Sequence, residues 1–78
     1  MTPPADRELE AQVRSLISPH QEPPADRTAP LALPSLSLVV LAEELEQRFG
    51  FLVAARELTD ANFGSVERIC AYVRRRHG

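Results

Sequence analysis

Pro34 and Gly50 fence off a stretch whose pattern decides most of what this chain can become. The run between them is SLSLVVLAEELEQRF, residues 35–49. Pro34 favours extended backbone, and Ser35 can accept a hydrogen bond from the first free N–H groups in the manner of an N-cap. Gly50 supplies the left-handed residue that closes a helix at little steric cost. The spacing predicts a helix over 35–49. At about 100° per residue, Leu38, Leu41, Ala42, Leu45 and Phe49 share one side, the pattern of a buried stripe. Leu36, Val39 and Val40 fall nearly opposite, with Glu43 among them and Glu44, Glu46 and Gln47 further along. A helix that only lines a core needs one apolar face. This one has two, and the second begins beside a serine at the positive end of the helix dipole.

The flanking segments read as further helices. Thr2-Pro3-Pro4-Ala5-Asp6 opens one over about 4–17, with Thr2 or Asp6 as its cap and Glu8 and Glu10 at the favourable end. Leu9, Val13, Leu16 and Ile17 give it one buried face, and Pro19 ends it. Residues 18–34 hold Pro19, Pro23, Pro24 and Pro30 among polar residues, which predicts a long loop. Leu31 and Leu33 are expected to turn inward at its end. Pro-Pro-Ala-Asp-Arg occurs twice, ending at Arg7 and Arg27, but five residues fall well short of the ~20 that an architectural repeat needs. Beyond Gly50, Phe51 and Val53 can tuck beneath the helices. Thr59 or Asp60 can cap a short helix over about 59–63, which Gly64 breaks. Ser65 caps the last helix, about 65–76, whose Val66, Ile69, Cys70 and Val73 form another stripe. The chain is expected to be all-α: one domain over 1–78, a small bundle of three main helices plus a short one.

Composition narrows the partners. A chain of 78 residues with net charge −2 lacks the overall basic footprint of a nucleic-acid binder or a polybasic membrane patch. No apolar run nears the ~20 residues of a membrane span. The start has neither the basic end nor the apolar centre of a signal peptide, so a cytoplasmic protein is expected. One cysteine excludes an internal disulfide, and Cys70 on a core stripe reads as an inert thiol. His20 and His77 have no second ligand at metal spacing. A Ser35/His20/Asp26 triad is rejected because two members sit on the proline-rich loop with nothing to orient them. Arg74, Arg75 and Arg76 suit a helix C-terminus better than nucleic-acid contact.

Two separated motifs carry a family resemblance. PSLSLVVLAEELEQRFG resembles the phosphopantetheine attachment segment of acyl and peptidyl carrier proteins, Asp-Ser-Leu followed by a helix of about fifteen residues closing on Phe-Gly. Ser35-Leu36 matches the Ser-Leu and Phe49-Gly50 the Phe-Gly. Glu57-Leu58-Thr59-Asp60-Ala61-Asn62-Phe63 with Val66 resembles the Glu-Leu-Thr-x-x-Asn-Phe-x-x-Val segment of discrete, stand-alone carriers. The likeness runs from about Leu31 to Val73. Pro34 stands where the family has Asp, and Ala32 where it usually has Gly.

The resemblance implies a bundle of acyl-carrier type that catalyses nothing itself. Ser35 would be a phosphoprotein site carrying covalent 4′-phosphopantetheine, installed by a phosphopantetheinyl transferase. The arm would hold an acyl or aminoacyl thioester, charged by a loading ligase and presented to downstream synthase or transferase enzymes. Leu36, Val39, Val40, Glu43, Glu44, Glu46 and Gln47 would form the docking face of a monomer that meets its partners by diffusion. Fatty-acid carriers often have Glu where Val40 stands, which points to polyketide, nonribosomal-peptide or similar natural product biosynthesis. The alternative, favoured by Pro34, is a carrier-like interaction module that is not pantetheinylated.

Overall fold

The structure, a computed structural model, describes residues 6–77, excluding the side chain of Asp6. Four α-helices form in chain order: α1 (Asp6–Ile17), α2 (Ser35–Phe49), α3 (Asp60–Phe63) and α4 (Val66–His77). A 3-10 turn at Ala55–Glu57, which the sequence did not signal, lies between α2 and α3. Among the described residues no strand forms. The expected beginning of the first helix at residue 4, and its Thr2 or Asp6 cap, lie outside what is described.

α4 is the hub, packing against α1, α2 and α3. Its Val66, Ile69, Cys70 and Val73 are buried, as are Leu9, Val13, Leu16 and Ile17 of α1 and Leu41, Ala42 and Leu45 of α2. Leu31, Leu33, Leu38, Phe49, Phe51, Val53 and Leu58 pack around this centre half-buried. Each helix thus turns its apolar stripe to one shared core, which is what holds so small a bundle together.

Local chemistry fixes the helix ends. Gly50 takes φ 77°, and its N–H donates to the Glu46 carbonyl at 2.9 Å, closing α2 in left-handed geometry. At α4 the buried Ser65 Oγ accepts from the Arg68 N–H at 3.1 Å. The Glu67 N–H, another orphan of that first turn, donates to the Arg27 carbonyl at 2.9 Å. Gly64 is needed for closeness: a Cβ there would lie 2.5 Å from the Asp60 carbonyl oxygen.

The long loop over residues 18–34 is tied down by polar contacts. Arg14 donates to the carbonyls of Pro24 and Ala25, the Gln21 side chain accepts from the Ala32 N–H at 3.0 Å, and the Leu31 N–H donates to the Gly64 carbonyl at 2.8 Å. Those last two contacts set where the chain enters α2.

Tyr72, off the predicted stripe, is among the largest buried side chains. Its ring packs against Phe63 and Phe51, with centroids 5.1 and 5.9 Å away, and its hydroxyl donates to Glu57 Oε1 at 3.1 Å. Burial pushes the phenol up to about 12, and burial also raises the Cys70 thiol above its ordinary value. A group whose pKa is raised by folding stabilises the fold below its unfolded pKa and loses that contribution as pH climbs toward the folded one. Chemical denaturation is therefore expected to show stability falling from about pH 9 upward, as the unfolded phenol ionises ahead of the folded one. Tyr72→Phe should remove the tyrosine share.

Candidate functional site

The structure puts Pro34, not Ser35, at the N-cap of α2. Pro34 is extended (φ −62°, ψ 158°), its carbonyl accepts from the Leu38 N–H at 3.0 Å, and no side chain caps this end. The expectation that Ser35 caps the helix is therefore corrected. Proline already fills the extended boundary position, so Ser35 becomes the first residue inside the helix. Its side chain is exposed, and its hydroxyl has no hydrogen-bond partner among the described residues.

Two features make this hydroxyl distinctive. The first turn of α2 contains no acidic residue, so the positive end of the dipole is not neutralised locally. Beside it, Leu36 is 75% exposed, Val39 43% and Val40 37%, an uncovered apolar strip on the face opposite the buried stripe. Leu36, Val40, Glu43 and Gln47 follow one another along that face at helical spacing, and Glu43 and Gln47 are exposed.

The other two acidic residues of the expected docking set are engaged in the fold. Glu44 Oε1 lies 3.3 Å from His20 Nε2, joining α2 to the long loop. Glu46 Oε2 accepts from the Val53 N–H at 2.8 Å, holding the chain that leaves the helix. Asp26 accepts from the N–H and hydroxyl of Thr28, which hold its carboxyl below the usual carboxylate range. His20 and Asp26 thus have partners other than Ser35.

A recess of about 150 Å³ lies within one turn of Ser35, walled by Leu33, Leu38, Leu58 and Phe63. It is below the ~300–1,000 Å³ range of small-molecule pockets.

The Glu57-to-Asn62 segment has a structural role that its sequence did not disclose. Glu57 Oε1 accepts from the Ala54 N–H at 3.0 Å as well as from Tyr72, and Oε2 faces Arg76 Nη1 at 3.5 Å. The Ala54 hydrogen bond is the main reason its carboxyl is held below the ordinary range. Asn62 donates to the Glu57 carbonyl at 2.9 Å and accepts from Arg75 at 3.0 Å. Arg76 also donates to the Leu52 carbonyl at 2.7 Å and sits 5.7 Å over the Phe51 ring. The arginines at 75 and 76 therefore clamp the crossover between α2 and α3 to α4.

No family model matches this chain, and neither does any curated protein or solved structure. Among the described residues no helix is long and apolar enough to cross a membrane, and no group of three or more His, Cys, Asp or Glu is placed to hold a metal ion.

Proposed function

We propose that this chain is an acyl- or aminoacyl-carrier protein with Ser35 as its 4′-phosphopantetheine attachment site. The observation that carries this reading is a free, exposed serine hydroxyl at the unneutralised start of α2, flanked by an uncovered apolar strip. The residues present fit the group: an exposed nucleophile on a rigid element, and a helix start whose N–H groups and dipole favour a phosphodiester. In the transfer, the Ser35 oxygen bonds to the phosphorus of coenzyme A on the pantetheine side. The pyrophosphate P–O bond breaks, adenosine 3′,5′-bisphosphate leaves, and the serine proton passes to the transferase. When attached, the arm supplies a terminal thiol that carries cargo as a thioester.

The chain's own residues present and recognise. Leu36, Val39 and Val40 supply apolar contact for transient partners: the transferase, a loading ligase and downstream synthases of polyketide or peptide type. Glu43 and Gln47 border that contact, where charge mainly governs encounter rate and discrimination. A second reading, an interaction module without the arm, rests on Pro34 occupying the position of the family's Asp.

Mass spectrometry after incubation with coenzyme A and a broad-specificity phosphopantetheinyl transferase separates the two. The carrier reading expects a gain of one phosphopantetheinyl mass, absent in Ser35→Ala. No gain with several transferases overturns it in favour of the module, and a gain seen only in Pro34→Asp would place the block at that residue.

A further inference from the structure

We propose that the cleft between the first half of α1 and the turn at residues 24–27 binds a phosphate-class dianion, held between Arg7 and Arg27. This site is independent of Ser35. Among the described residues, Arg7, Glu10, Ala11, Arg14 and Arg27 line an open cleft of about 380 Å³, with three guanidinium groups against a single carboxylate. Two net positive charges in one concavity match a dianion, and their repulsion is relieved when one binds.

The three arginines differ in what they have left to give. Arg14 is tied to the fold at each of its three guanidinium nitrogens: its Nε donates to Glu10 Oε2 at 3.0 Å, and its two Nη groups donate to the Pro24 and Ala25 carbonyls. Arg27 is anchored by its backbone, whose carbonyl accepts from the Glu67 N–H at 2.9 Å. Its Nε lies 3.2 Å from Glu10 Oε1, yet that nitrogen is buried and makes no hydrogen bond. That nitrogen is spent on the ion pair with the Glu10 carboxylate, while the side chain as a whole stays 41% exposed at the cleft. Arg7 is exposed and has no partner among the described residues. Glu10 is met by the Nε atoms of Arg14 and Arg27, which leaves the Nη ends of Arg27 and the whole Arg7 fork for a ligand. A tetrahedral dianion can accept from two such forks at once, which a lone lysine could not reproduce.

The short sequence repeat has a consequence in this setting. The fold brings the closing arginines of both Pro-Pro-Ala-Asp-Arg copies to the same cleft, although they are twenty residues apart in the chain.

The test is an amide NMR titration of the full chain with inorganic phosphate, with ionic strength held constant by sodium chloride. Saturable shifts centred on Ala11 and Arg27 are expected, with a dissociation constant in the millimolar range or tighter. Arg27→Gln and Arg7→Gln should each weaken binding about tenfold, the loss of one charge-assisted fork. Arg48→Gln, outside the cleft, should change nothing. Because Arg7 makes no hydrogen bond or ion pair with the described residues, Arg7→Gln keeps the test sound even if Arg27→Gln loosens the loop. Shifts that do not saturate, that centre elsewhere, or that persist undiminished in Arg7→Gln overturn the proposal.

Discussion

Tyr72→Ala is expected to lower the unfolding free energy by about 3–5 kcal/mol, enough to leave much of the protein unfolded at 37 °C. A domain of this size has only about 4–12 kcal/mol in total, at the per-residue stability of ordinary globular proteins. The ring is 2% exposed and is wedged between Phe63 and Phe51. Removing it opens a cavity where α3, the 3-10 turn and α4 meet, and none of those short elements can collapse to fill it alone. Tyr72→Phe keeps the ring and should cost only about 1 kcal/mol, the net value of one hydrogen bond. Glu57 would not be orphaned by that change, since its carboxylate keeps the Ala54 N–H and Arg76. Urea titrations of the three proteins followed by circular dichroism give the comparison. If Tyr72→Phe were as damaging as Tyr72→Ala, the hydroxyl and not the ring would be holding this corner together.

Tyr72 also shows where the sequence stops being readable. Val66, Ile69, Cys70 and Val73 repeat at helical spacing and their burial could be anticipated. Tyr72 sits to one side of that stripe, and it is buried because α3 and the chain around Phe51 cover it. A periodicity argument sees one helix at a time, so it finds the face toward the main core and misses a flank covered by a later segment. Glu46 and Glu57 fail for the same reason. Both look like solvated acids, and each accepts a backbone N–H from a neighbouring loop, Val53 and Ala54 respectively. The ends of α2 were legible because Pro34 and Gly50 act through their own backbone preferences. The role of Ser35 was misread in one respect: a serine before an apolar run suggests a cap, but the preceding proline already occupied that position. The angular separation of Leu36, Val39 and Val40 from the core stripe was legible, and they are exposed because no described segment folds back over that face.

Leu45→Ala and Val40→Glu, little more than a turn apart on α2, are expected to behave oppositely. Leu45 is fully buried at the centre of the bundle, and truncating it should cost about 2–5 kcal/mol, the transfer of the lost atoms plus the cavity left behind. Val40 is 37% exposed on the outer face, and Val40→Glu should move stability by no more than about 0.5 kcal/mol in either direction. Glutamate has at least the helix propensity of valine, but it faces Glu43 three residues on, and these small effects oppose each other. On the proposed carrier reading, the functional ordering should be reversed. A carboxylate placed in the apolar strip must lose water wherever a partner covers it, so Val40→Glu should slow loading by any enzyme that docks on this face. Leu45→Ala, assayed at a temperature where it is folded, should load at the wild-type rate. Thermal melts give the first comparison, and single-turnover loading of the pantetheinylated protein gives the second. A Val40→Glu protein that melts much earlier than wild type would mean that the outer face of α2 is part of the core. One that melts and loads as wild type would mean that the proposed docking face of Leu36, Val39 and Val40 is not where a loading enzyme binds.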